Sequence, residues 1–162
     1  MTSIPSSNDI QLAHARILPH IHNTPVLTSQ FINDLSGAHL FFKCENFQKT
    51  GSFKMRGASN AIFSLKPEER LNGFATHSSG NHAQAVAYAC KTAGVSAYIV
   101  MPQNAPKVKI DAVKNYGGEI VFCEPNETAR QTACTKIIQE TNALFIPPFD
   151  DLAIITGQAT CA

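Results

Sequence analysis

The chain has 162 residues, with hydrophobic types at 44% and charged types at 15%, a composition that folds and excludes a disordered or low-complexity chain. Thirteen lysines and arginines against twelve acids leave a formal charge of +1 with no basic run, so nothing favours nucleic acid or an anionic membrane surface. The apolar stretch at residues 95–101 is far too short to span a bilayer, and a secretion leader is not expected at the N-terminus. Five cysteines cannot all pair within one chain and none forms a C-x-x-C, so reduced thiols in a cytoplasmic protein are expected.

In chain order, Ser7, Asn8 and Asp9 offer N-caps for a helix carrying Ile10, Ala13, Ile17 and Leu18 at helical spacing. A turn at residues 22–25 leads to a short extended piece, Val26 and Leu27. Thr28 or Ser29 caps a second helix that Gly37 closes. Residues 39–44 are apolar and aromatic enough for a buried strand, which finds no partner of its own class. A loop over residues 46–52 precedes a helix over residues 53–65, stopped by Pro67. From Gly73 the pattern becomes regular: strands near residues 74–77, 96–101, 119–122 and 143–146 alternate with helices near 81–92, 106–115 and 127–140. Such alternation predicts an α/β fold, an open parallel sheet with helices on both faces. Residues 73–149 then form a small α/β domain. Residues 1–72 belong to an incomplete larger domain, into which residues 150–162 begin to return.

Two loop-to-helix junctions can carry chemistry. In the first, Gly51 frees the backbone, Ser52 can cap, and Lys54 falls in the first helical turn, where the helix dipole disfavours a cation. A neutral lysine amine is the form that attacks a carbonyl to make a Schiff base; a first-turn lysine is otherwise an ordinary solvated residue. In the second, Ser78, Ser79, Gly80, Asn81 and His82 lie between a strand and a helix, where backbone N–H groups can gather a carboxylate or phosphate. An ordinary N-capped turn has the same composition. His14, His20, His22 and His39 show no ligand spacing, so no metal site is expected, and Cys44 and Cys90 read as core.

Together and in this order, Glu45-x-x-x-x-Thr50-Gly51-Ser52-Phe53-Lys54-x-Arg56-Gly57-Ala58 and Ser78-Ser79-Gly80-Asn81-His82 resemble the fold-type II pyridoxal-phosphate enzymes, the serine racemase and serine/threonine dehydratase family. Asn23-Thr24-Pro25 and the stretch from Pro148 to Gly157-Gln158 match as well; Ala159 stands where the family commonly has glycine. The resemblance implies a pyridoxal 5'-phosphate enzyme, an ammonia-lyase or racemase acting on serine, threonine or 3-hydroxyaspartate. It implies that Lys54 holds the cofactor as a Schiff base and moves the α-proton on one face. Phe53 would lie against the cofactor ring and Asn81 would bond its ring oxygen. Ser78, Ser79, Gly80, Asn81 and His82 would gather the substrate carboxylate. Ser79 would be either the second acid–base, on the opposite face, or a carboxylate donor only.

The same resemblance places the glycine-rich phosphate loop, the partner of the pyridine nitrogen and a divalent-cation site beyond Ala162. A longer, homo-oligomeric parent enzyme is therefore expected. These 162 residues alone are expected to bind the cofactor weakly without sustained turnover. The alternative is a non-catalytic fragment serving as a binding or regulatory chain.

Overall fold

A computed structural model describes residues 4–162, so residues 1–3, part of the N-terminus expected to lack a leader, lie outside the described residues. Helix α1, Ser7–Ile17, starts one residue before the expected caps. Ser6 accepts from the Asp9 N–H while the Asp9 carboxylate takes the Ser6 N–H at 2.8 Å, and Ala13 and Ile17 point inward, fully buried. Strand β1, Val26–Leu27, precedes helix α2, Gln30–Ser36, which Ser29 caps and Gly37 ends in the left-handed conformation.

Strand β2, Phe42–Lys43, pairs antiparallel with β1, Val26 opposite Lys43, so the apolar segment expected to lack a partner has one. The ribbon is short because turns claim the backbone on either side. The Leu40 N–H goes to the Asn33 side chain, and the Cys44 N–H closes on Pro25. Cys44, expected in the core, is only half-buried at the ribbon's end, whereas Cys90 is fully buried.

Helix α3, Lys54–Phe63, is shorter than its pattern predicts and is entered through a tight turn with Thr50 at φ 62° and Gly51 at φ 73°. The expected cap at Ser52 is absent: the helix starts without a side-chain cap, and the Ser52 hydroxyl is buried without a partner. The left-handed pair delivers Ser52 extended at φ −163°, and the helix begins two residues later.

Strands β3 (Phe74–His77), β4 (Ala97–Pro102), β5 (Glu119–Cys123) and β6 (Leu144–Phe145) form one parallel sheet in the order β5-β4-β3-β6. Period-two alternation sorts its side chains. Phe74, Ala97, Ile99 and Met101 pack with helices α4 (Asn81–Ala93) and α5 (Lys107–Asn115). Ala75, Val100 and Cys123 pack on the other face with Cys134 and Ile138 of α6 (Glu127–Thr141). Among the described residues no helix is long and apolar enough to cross a membrane.

Helix α7, Leu152–Ala159, capped by Asp151, returns onto α3. One core runs through both parts of the chain, joining Ile17, Met55 and Ile62 to Phe74, Val86 and Ile154. The α3–α7 crossing is a backbone contact. A Cβ on Gly157 would come within 2.6 Å of Asn60 Cβ and 2.7 Å of the Arg56 carbonyl, and one on Gly57 would meet the flexible Gln158 side chain at 2.9 Å. Gly157→Ala is therefore expected to cost about 1–3 kcal/mol as an overpacked contact, and Gly57→Ala less, because Gln158 can move and the nearest backbone atom, the Ile154 carbonyl oxygen at 3.0 Å, need give only slightly. Urea denaturation of the two variants checks the order.

Candidate functional site

The chain runs outward from β3 through β4 to β5, then crosses back to place β6 on the other side of β3. A parallel sheet binds ligands at the carboxyl ends of its strands where the winding reverses, here between β3 and β6. Beyond β3 lie Ser78, Ser79 and Gly80; beyond β6 lie Pro147, Pro148 and Phe149. Between them opens a cleft of about 330 Å³ lined by His77, Ser78, Ser79, Gly80, Arg130, Pro148 and Phe149, with Glu127 at its edge.

The serine loop is shaped from within. The Ser78 N–H continues the β3–β4 ladder to the Val100 carbonyl, and the Gly80 N–H donates to the Ser78 hydroxyl at 3.2 Å. Gly80 precedes α4 without a side-chain cap. Among the described residues the N–H groups of Asn81, His82 and Ala83 take no protein acceptor, an arrangement that receives an anion. The Asn81 side chain is exposed, and its Oδ1 accepts from Lys109 Nζ at 3.2 Å. The His82 side chain instead turns inward, 3% exposed, so towards the cleft this residue can offer only its N–H. Its Nε2 lies 3.3 Å from the Ile146 carbonyl; an oxygen that only accepts requires the proton on Nε2, and Nδ1 is left buried without a partner. Burial above all holds this imidazole neutral, down to about 4, with Lys54 and His77 acting in the same direction.

Lys54 comes from the other direction, at the start of α3. Its Nζ donates to the Pro148 carbonyl at 2.7 Å, and lies 5.4 Å from the centre of the Phe53 ring, which is itself 42% exposed. Burial lowers the pKa of the amine, the direction expected at a helix start. Pro148 thus joins the two junctions: its carbonyl receives Lys54, and its ring lines the cleft with Ser79.

Beneath α3 lies a buried ion pair. Arg56 donates to both oxygens of Glu45 at 2.8 Å, Thr24 adds a bond to Glu45 at 2.6 Å, and Arg56 also reaches the Thr160 carbonyl at 3.3 Å. Burial raises the Glu45 pKa, but the bonds from Arg56 and Thr24 outweigh it and hold the carboxyl below its usual range. Three separated segments, at Thr24, Glu45 and Thr160, are thus tied to the helix that carries Lys54.

Residues 17–162 match the family model described as pyridoxal-phosphate dependent enzyme. The chain belongs to that family. It is 49% identical over 159 residues to a beta-hydroxyaspartate dehydratase of Paracoccus denitrificans, covering 98% of this chain and 50% of that protein. It is 51% identical over 154 residues to the serine racemase of Dictyostelium discoideum, covering 95% and 48%. The crystal structure of that racemase superposes with a TM-score of 0.91 over 95% of this chain and 50% of its own. A pyridoxal 5'-phosphate-dependent aspartate racemase does so at 0.91, with 47% identity over 98% of this chain and 51% of its own. The family member described here spans about half the length of the curated relatives it matches.

The residues present fit the ring end of pyridoxal phosphate: a partly desolvated amine beside an accessible aromatic face, and an amide and free N–H groups at the opening of α4. Arg130 and the Pro148 carbonyl were missed by sequence reasoning. The Pro147-Pro148 pair at a strand end could have signalled a stiff cleft wall, but Arg130, in the first turn of a polar helix, gives no sequence signal.

His82 also sets a pH dependence. Its folded pKa of about 4 lies below its ordinary 6.5. Above the ordinary value both states are neutral and the stabilisation is complete. As pH falls towards 4 the unfolded chain takes up a proton that the fold refuses, and up to about 3 kcal/mol is lost. Urea titrations between pH 7 and 4 should show this slope, and its loss in His82→Gln.

Proposed function

We propose that this chain contributes to a pyridoxal-phosphate-dependent ammonia-lyase or racemase acting on small hydroxy amino acids, with Lys54 as the cofactor lysine. The observation that carries this is the Lys54 amine bonded to the carbonyl of Pro148, a residue that lines one cleft together with the serine loop. In the same reading residues 73–149 make up the small domain, and residues 1–72 and 150–162 belong to the larger one.

When bound, the cofactor supplies an electron sink for the carbanion left at the substrate α-carbon. The chain's own residues do the rest. Phe53 offers a flat apolar face beside the Lys54 amine, and Asn81 an exposed amide at the mouth of α4. The N–H groups of Asn81, His82 and Ala83, with the Ser78 hydroxyl, hold the substrate carboxylate and fix which bond at the α-carbon is presented. Lys54, whose amine burial makes easier to deprotonate, takes the α-proton on its face. In this reading Ser79, half-buried in the cleft wall, delivers a proton on the other.

Arg130 bears on the choice among serine, threonine and 3-hydroxyaspartate. It lines the cleft beside Ser79, and its exposed partner Glu127 is 3.5 Å away, a pairing weak enough to yield to a substrate. A guanidinium there favours a substrate with a side-chain carboxylate. That accords with the activities for which two relatives are named, the beta-hydroxyaspartate dehydratase and the aspartate racemase.

Borohydride reduction with pyridoxal phosphate, followed by peptide mapping, should attach the cofactor at Lys54; attachment at Lys43 or Lys49 with Lys54 untouched would overturn the assignment. Ser79→Ala should reduce racemisation by about 100-fold or more while most keto-acid release from the L-substrate persists. Equal loss of both would make Ser79 a carboxylate donor only. Arg130→Ala should lower kcat/KM for 3-hydroxyaspartate by about 10- to 100-fold, as loss of a charged hydrogen bond does, and change that for serine far less.

A further inference from the structure

The acceptor that holds Lys54 is itself held. The Ile146 carbonyl, two residues before Pro148, accepts two side-chain bonds: from the Thr76 hydroxyl at 2.7 Å and from His82 Nε2–H at 3.3 Å. Both donors are buried, Thr76 at 0% and His82 at 3% exposed, and they stand at the two ends of the serine loop, on the last turns of β3 and the first of α4. The Ile146 N–H is tied as well, to the Ala75 carbonyl at 2.9 Å. From Ile146 to the Lys54 acceptor the chain runs through Pro147 and Pro148, whose rings fix φ and leave little freedom.

We infer that Thr76 and His82 are positioning residues for Lys54: they clamp the Ile146 carbonyl, the two prolines transmit that position, and the Pro148 carbonyl fixes the Lys54 amine at the cleft wall. A neutral amine has two N–H bonds and one lone pair. Giving one N–H to a fixed carbonyl confines the lone pair to directions away from it, so the clamp sets where the amine can take a proton or attack a carbonyl carbon. The orphan Nδ1 of His82 agrees with this role, since the ring is retained for its one N–H at Nε2. The two ends of the serine loop and the lysine are thereby set by one carbonyl. The catalytic meaning of the clamp rests on the proposed role of Lys54; the clamp itself does not.

The test is carbon-detected NMR titration of the lysine side chains, with amide exchange of residues 145–149, in the purified chain without cofactor. Lys54 should titrate below the ordinary lysine value. His82 on α4 is the titratable group that bears on Lys54, and with its pKa at about 4 it is neutral where lysines titrate. Thr76→Val and His82→Leu should move the Lys54 midpoint back towards the ordinary lysine value, as water reaches the amine, and speed loop exchange at least about tenfold. Thr76→Ser and His82→Gln, which restore a donor, should behave as the unmodified chain. Pro148→Gly, at a half-buried site outside the core, should free the amine without disturbing the clamp and serves if the core variants do not fold. Unchanged Lys54 midpoints in the folded Thr76→Val and Pro148→Gly chains would overturn the inference. Attachment of the cofactor at a lysine other than Lys54 would instead remove the functional reading and leave this titration standing.

Discussion

Helix α7 lies on α3 with no side chain between them at Gly157, whose Cα faces Gly57 and the Arg56 carbonyl. Because α7 follows β6 by a short loop, this contact draws that loop over the start of α3. It brings a carbonyl of residue 148 within hydrogen-bonding distance of an amine 94 residues earlier in the chain. Were the helices a side-chain layer further apart, the sheet could form as it does and Lys54 would have no acceptor. The bond from Asn60 to the Ala153 carbonyl and that from Arg56 to Thr160 hold the crossing in register along its length.

The Glu45–Arg56 pair reinforces the same helix from its other side. A buried ion pair stabilises little relative to well-packed apolar groups, because desolvation offsets most of the attraction, but breaking one is costly. Its value here is geometric. A bidentate guanidinium–carboxylate contact admits one arrangement, and Arg56 sits two residues after Lys54. The motif around the lysine thus contains its own anchor, with a glutamate nine residues before it and an arginine two after it.

Electrostatics and winding converge on one end of the sheet. The switch between β3 and β6 opens the cleft, α4 begins beside it with unpaired N–H groups, and burial keeps the nearby His82 neutral and lowers the pKa of Lys54. An anionic group entering the cleft would meet directed dipoles on the loop and the Arg130 guanidinium in its lining.

The order and type of the elements from Gly73 onward were legible in the sequence, because period-two strands and capped, glycine-terminated helices are local signals. So were both loop-to-helix junctions, since Lys54 and residues 78–82 belong to contiguous motifs. Short-range pattern failed where partners are distant or backbone geometry decides. The antiparallel pairing of Phe42 with Leu27 depends on turns closed by Asn33 and Pro25, and the absent cap at Ser52 follows from a left-handed Thr50 that no side-chain preference announces. The inward turn of His82, the reach of Lys54 to Pro148 and the arrival of Arg130 at the cleft were decided only by tertiary structure. The physical reason is that a hydrogen bond or a desolvated cleft depends on which segments lie within a few ångströms of each other. In this chain the close α3–α7 crossing and the reversal of strand order set that, and neither is written in any one stretch of sequence.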